Sequence, residues 1–197
     1  MHLLVLARHG QSQLNVEGRV NGDPARDLGL SPLGADEGRA LGVQLAAVGI
    51  DLCVTSRFPR GQETARLALG ARAGAIPAVA DADLDDIRIG ELEGDTLQAY
   101  REWKRAHARD DRFPGGESLN EAARRYADAF ERLAARPEER VLCICHEIPV
   151  RYAVNAAAGS AQLDGPLHDV PNATPYLFDA DGVARAVRRL RALAGSG

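Results

Sequence analysis

The sequence predicts an α/β protein: a three-layer α/β/α sandwich with a mostly parallel central sheet and an α-helical insertion over its site. Three observations lead there. Short aliphatic runs, His2 to Ala7, Asp51 to Ser56 and Arg140 to Cys145, have the length and the unbroken apolar character of buried parallel strands. Segments of helical pattern lie between them, so strand and helix alternate as in βαβ units. Each run also ends at basic side chains: Arg8-His9 after the first, Arg57 and Arg60 after the second, His146 after the third. In open α/β sheets the carboxyl ends of strands are where ligands sit.

In chain order, the first run ends abruptly at Arg8-His9-Gly10-Gln11-Ser12. Asn15 to Gly34 is polar and rich in Gly, Pro, Asn and Asp, a long ordered loop. Ser31 then caps a helix with Pro32 in its first turn. Its apolar face is Ala40, Leu41, Leu45, Ala46 and Val48, and Gly49 ends it. After the second strand, Gln62 to Ala73 is helical and Pro77 to Ala80 is a short strand. Thr96 to Arg109 and Leu119 to Ala135 are helices that together form the insertion, about 95–135, roofing the site; Tyr100, Arg101, Trp103 and Arg105 are its candidate lining residues. The third strand is followed by a helix from Glu147 to Ala158. Asn172 to Phe178 and the stretch from Val183 flank Asp179-Ala180-Asp181-Gly182, which reads as an edge hairpin. The Ala/Gly/Ser tail after Leu193 reads as disordered.

Composition narrows the class. At 197 residues the chain fits one domain, 1–197, better than two. Its 45% apolar and 5% aromatic content describes a globular core packed with alanine and leucine. A net charge of −4 gives no reason to expect nucleic acid, so attraction for an anion must come from a local arginine cluster. No stretch approaches a membrane span, and Leu3 to Ala7 is too short for a signal-peptide core. Cys53, Cys143 and Cys145 lie in apolar runs and read as reduced core residues of a cytoplasmic protein. Cys143 and Cys145 would share a strand face, which leaves a metal reading open; no further ligand cluster lies nearby, and no metal or cofactor is assigned.

A neutral imidazole is a good nucleophile, and an adjacent guanidinium matches phosphate oxygens two at a time. Alone, Arg8-His9-Gly10 is equally consistent with a surface loop after a strand. It does not stand alone. With Gln11-Ser12 and Asn15, it is followed in order by Gly22 with Leu30-Ser31-Pro32-Leu33-Gly34, Ser56 to Ala65, Leu84 to Gly94, Gly115-Gly116-Glu117-Ser118 and Cys145-His146-Glu147. This series resembles the signature of the histidine phosphatase superfamily, which includes the cofactor-dependent phosphoglycerate mutases.

The resemblance implies phosphoryl transfer through a covalent phosphohistidine on His9. Arg8, Arg60 and His146 would hold the phosphoryl oxygens, Arg60 matching the family's phosphate-binding arginine. Family members usually carry a glutamate four residues before the first of two glycines; here that position is Asp86, the expected proton donor, with Asp85 beside it as a competitor. Substrate-binding candidates are Ser12, Asn15, Gly22, Arg57, Glu117 and Glu147. Arg57 could serve as an auxiliary or simply be a solvated rim charge, and Glu117-Ser118 resembles the family's substrate-side loop. His2, His107 and His168 receive no role.

The mutases of the family read Glu-Arg-His-Tyr-Gly across the acid segment, whereas this chain reads Asp86-Ile87-Arg88-Ile89-Gly90. It lacks the arginine and tyrosine that grip phosphoglycerate, which favours a metal-independent phosphomonoesterase acting on a small phosphorylated metabolite over a mutase. A silent binding module of the same fold is the third reading, and retention of Arg8, His9, Arg60, His146 and a carboxyl argues against it. The side chains name no particular substrate. An edge strand is open to pairing in a homodimer.

Overall fold

The computed structural model describes residues 1–195. Five strands form one sheet: β1 (Leu3–Arg8), β2 (Leu52–Thr55), β3 (Ala78–Ala80), β4 (Arg140–Cys145) and β5 (Pro175–Phe178). Their order is β3-β2-β4-β1-β5, all parallel except β5, which runs antiparallel to β1. The helices are α1 (Gln13–Val16), α2 (Pro32–Gln44), α3 (Pro59–Leu69), α4 (Leu97–Ala106), α5 (Leu119–Ala134), α6 (Glu147–Ala157) and α7 (Ala180–Leu193).

The three layers follow from the period of two along strands whose faces are both covered. Leu4, Leu6, Leu52, Val54, Val141 and Cys143 face a core shared with Tyr126 and Phe130 of α5, Tyr152 of α6 and Leu190 of α7. Val5, Ala7, Cys53, Leu142 and Ile144 face the opposite core with Leu41 and Leu45, and with Ala65, Ala68 and Leu69 of α3. All three cysteines are buried and unpaired. No helix among the described residues is long and apolar enough to cross a membrane.

The expected parallel sheet and layer order hold, and four local expectations are corrected. First, Asp179 opens a helix rather than a hairpin turn. Its carboxylate accepts from the Gly182 amide as an N-cap, and Val183, Ala186, Val187 and Leu190 then recur at helical spacing and are buried. Second, α2 ends at Gln44 rather than Gly49, and its buried face is Gly34, Gly38 and Leu41, continued by the capping Leu45, with Ala40 and Ala46 exposed. The glycines admit α3 at close range: a Cβ on Gly42 would stand 2.5 Å from the Ala68 carbonyl oxygen. Third, of the two helices expected as a roof, only α4 lines the pocket described below. The other, α5, is a layer helix with nine buried residues. Fourth, Ala194 is buried, and its carbonyl accepts from Arg124. Of the expected disordered tail, Ser196 and Gly197 lie outside the described residues.

Register positions the chemistry. Leu3 pairs with Arg140 and Arg8 with Cys145, so residues 9 and 146 leave the sheet side by side. The His9 amide donates to the Cys145 carbonyl at 2.9 Å, extending the ladder by one bond.

Candidate active site

Two imidazoles meet at this sheet edge, their ring centres 5.2 Å apart and edge-on. His9 Nδ1 lies 2.6 Å from the Gly10 carbonyl oxygen, which can only accept, so Nδ1 carries the proton and Nε2 presents its lone pair. The Gly10 amide in turn donates to Thr64 Oγ1 at 2.9 Å. Only glycine fits there, because a Cβ would stand 2.3 Å from the Gly34 carbonyl oxygen. His146 caps the start of α6 and is fully buried, with Nε2 2.9 Å from Ser56 Oγ and Phe58 edge-on to its ring.

Arg60, in the first turn of α3, lies between the two rings. Its Nε donates to His9 Nε2 at 3.0 Å, and NH2 lies 3.2 Å from His146 Nδ1. NH1 donates to the Asn21 side-chain oxygen and to Asp27 Oδ1, while NH2 also reaches the Asn21 carbonyl at 3.2 Å. The guanidinium stacks on Phe58, 4.2 Å from the ring centre, and the residue is 3% exposed. Arg8 NH1 donates to the Val170 carbonyl at 2.9 Å and lies 3.3 Å from Glu147. Its buried Nε has no protein partner.

These cations and the burial set the protonation states. Burial first, then the charges of Arg60 and Arg8, push His9 well below the ordinary imidazole range, outweighing the Gly10 hydrogen bond. Burial and Arg60 do the same to His146, aided by His9 and Arg8. Asp86 moves the other way: burial raises its carboxyl above the ordinary carboxylate value and outweighs the pull of Arg60. Its Oδ2 lies 3.6 Å from both Arg60 NH2 and His146 Nδ1. The site therefore sets an imidazole shifted toward its neutral form beside a carboxyl shifted toward its protonated form.

A pocket of about 330 Å³ opens over this group. Arg8, His9, Ser12, Asn15, Gly22, Arg60, Asp86 and Glu147 all line it. Ser12 and Asn15 are tied to each other as the capping box of α1, with Asn15 Oδ1 accepting from the Ser12 amide, so Asn15 offers a ligand only its Nδ2 donors. Gly22 serves a close chain crossing, since a Cβ would stand 2.2 Å from the Ile87 carbonyl oxygen, and its amide is taken by Glu93. Glu147 bridges Arg8 and Arg151. From α4, Tyr100, Arg101 and Lys104 reach the pocket. Trp103 and Arg105 do not; Trp103 stacks on Phe113 and His107 instead.

Three candidates belong elsewhere. Arg57 does not line the pocket and is tied by its amide, Nε and NH2 to Asp85, which also removes Asp85 from competition with Asp86. Glu117 is buried, away from the pocket, between Arg88 and Arg125. His146 stands behind Arg60 rather than on the pocket wall, so its contact is to the guanidinium. Sequence reasoning missed Asn21 and Asp27, which lie 39 and 33 residues from Arg60, and Arg125, whose carbonyl partner Asp85 is 40 residues away; such separations leave no local signal. It also gave His168 no role, yet that residue lines the pocket. Among the described residues, no three His, Cys, Asp or Glu side chains are grouped to hold a metal ion.

Comparison with known proteins identifies the family and the fold. Residues 4–192 match the profile of the histidine phosphatase superfamily (branch 1). A 2,3-bisphosphoglycerate-dependent phosphoglycerate mutase of Parvibaculum lavamentivorans is 32% identical over 95% of each chain. Another from Gloeobacter violaceus is 38% identical over 77% of this chain and 73% of its own. The solved structure of Bacillus stearothermophilus YhfR is similar with a TM-score of 0.76 at 26% identity, covering 89% of each chain. A mycobacterial glucosyl-3-phosphoglycerate phosphatase, solved as its VO3 complex, gives 0.70 at 28% identity over 90% of this chain and 92% of its own. With a profile match over nearly its whole length, the chain belongs to the histidine phosphatase superfamily, branch 1.

Proposed function

We propose that the chain is a phosphomonoesterase that hydrolyses a small phosphorylated metabolite through a phosphohistidine on His9. The observation that carries this reading is one geometry: the unprotonated Nε2 of His9 beside Arg60, with the carboxyl of Asp86 on the same pocket wall. Substrate binding exchanges the Arg60 Nε bond to His9 for a bond to a phosphoryl oxygen, and this frees the nucleophile. The Nε2 lone pair then forms the N–P bond as the ester P–O bond breaks. The electron pair leaves with the ester oxygen, which takes the proton of Asp86. In the second half, Asp86 as carboxylate accepts a proton from water, whose oxygen bonds to phosphorus while the P–N pair returns to Nε2.

Arg8 and Arg60 stabilise the charge that spreads over the equatorial oxygens, and each such donor is worth about 10²–10³ in rate. A positioned proton donor adds about 10²–10⁴. The structural similarity to a phosphatase solved with VO3 supports a pocket for a phosphate-like oxyanion.

A second reading is a mutase, favoured by the names of the relatives at 32–38% identity. Against it, Ile87 and Ile89 present apolar side chains to the pocket in the segment where the mutases carry arginine and tyrosine. Turnover of p-nitrophenyl phosphate in EDTA supports the phosphatase. Interconversion of 3- and 2-phosphoglycerate outpacing phosphate release supports the mutase. His9→Ala abolishes turnover and the acid-labile phosphoprotein in either reading; persistence of both in that variant refutes the mechanism.

A further inference from the structure

We propose that the buried Arg125–Glu117 pair is a positioning device for Asp86, holding the loop that carries the proton donor without touching substrate. The inference rests on Asp86 being that donor. Arg125 sits on α5, its side chain 10% exposed, and neither it nor Glu117 lines the pocket. Its NH1 donates to the carbonyls of Asp83 at 2.9 Å and Asp85 at 3.0 Å, and its NH2 to that of Asp86 at 3.3 Å. Glu117 accepts from Arg125 and also from the Arg88 amide at 3.0 Å. The pair therefore grips the backbone on both sides of Asp86, from residue 83 to residue 88.

The grip matters because, among the described residues, no α-helix or strand holds this segment; besides the pair, Arg57 ties the Asp85 side chain and the Glu117 amide donates to the Arg88 carbonyl. Only short turns flank it, Ala82–Leu84 before and Gly90–Leu92 after, and no strand ladder runs through it. A proton donor must stay within hydrogen-bond reach of its target, so a loop free to drift would lose the transfer while leaving phosphate binding intact. Only a guanidinium has the forked donors to serve three carbonyls and a carboxylate at once. Glu117 keeps its charge as the partner: burial pushes it up, but its bonds and attraction to Arg125, then Arg88, hold it below the ordinary range.

The test uses leaving groups. An aryl ester such as p-nitrophenyl phosphate expels a stable phenolate without a proton, whereas glycerol 2-phosphate needs one. Arg125→Lys keeps the charge opposite Glu117 but cannot reach three carbonyls, and Glu117→Gln keeps the shape without the charge. Each variant lowers the alkyl-to-aryl ratio of kcat/KM by about 10-fold, and Asp86→Asn lowers it by about 10²-fold or more. Both substrates are measured on one preparation, so any misfolded fraction cancels from the ratio. Equal losses on both substrates, or variants without aryl activity, overturn the proposal and assign the pair to folding alone. If Asp86→Asn itself leaves the ratio unchanged, the proton-donor assignment falls, whatever the Arg125 variants do.

Discussion

Asp27→Ala removes a fully covered carboxylate that holds Arg60. The Asp27 side chain accepts the Arg60 amide at 2.8 Å and NH1 at 3.2 Å, clamping backbone and side chain of the same residue. Removing one partner of a buried pair costs about 3–5 kcal/mol because the remaining charge is left uncompensated. Arg60 keeps Asn21, both imidazoles and Asp86 at 3.6 Å, so the low end applies, about 3 kcal/mol. For a domain of this size that lowers Tm by about 6–12 °C. The freed guanidinium no longer meets the phosphoryl group in one orientation, and kcat/KM falls by about 10²-fold, the loss of one positioned donor. Thermal unfolding followed by circular dichroism and steady-state kinetics on p-nitrophenyl phosphate read the two effects separately. Asp27→Asn, which retains an acceptor oxygen, should fall between. A variant within about 1 kcal/mol of the parent and fully active would show that Asn21 and the imidazoles suffice, and would refute the reasoning.

Two more predictions follow from the site and its packing. The proposed mechanism needs His9 neutral and Asp86 protonated, and burial shifts each group in that direction, so kcat/KM on an alkyl phosphate declines toward alkaline pH as Asp86 loses its proton. Asp86→Asn should remove that alkaline limb from the pH–rate profile, and a parent rate that climbs steadily with pH contradicts the assignment. Gly34→Ala places a Cβ 2.0 Å from the Gln11 carbonyl oxygen, a backbone clash that should cost about 3 kcal/mol and lower the urea midpoint; an unshifted midpoint would show that the Gln11 loop gives way freely.

Much of the site was legible because its two histidines follow the two longest strands, each a nearly unbroken apolar run. The runs before His9 and His146 announce β1 and β4 by length and composition, and both end at the ligand-bearing edge of the sheet. Arg60 was legible through its family motif. Arg57, Asp85 and Glu117 were not, because a charged residue in a loop carries no sign of its partner, and here each is paired away from the pocket. The misread hairpin has a similar cause. Asp179-Ala180-Asp181-Gly182 suits a tight turn and a helix cap equally, and the apolar spacing beyond it decided for α7, which packs against α5 and α6.

What the amino-acid order determined by itself was local: which runs become strands, which segments coil into helices, and which basic groups stand at strand ends. Backbone propensity and apolar period are enough for that. Pairing between charges distant in sequence, such as Arg60 with Asp27 and Arg57 with Asp85, was decided by tertiary structure alone, since it depends on which segments meet. Asp86 rather than Asp85 faces the pocket because Arg57 binds Asp85, and His146 supports Arg60 because parallel register brings the ends of β1 and β4 together.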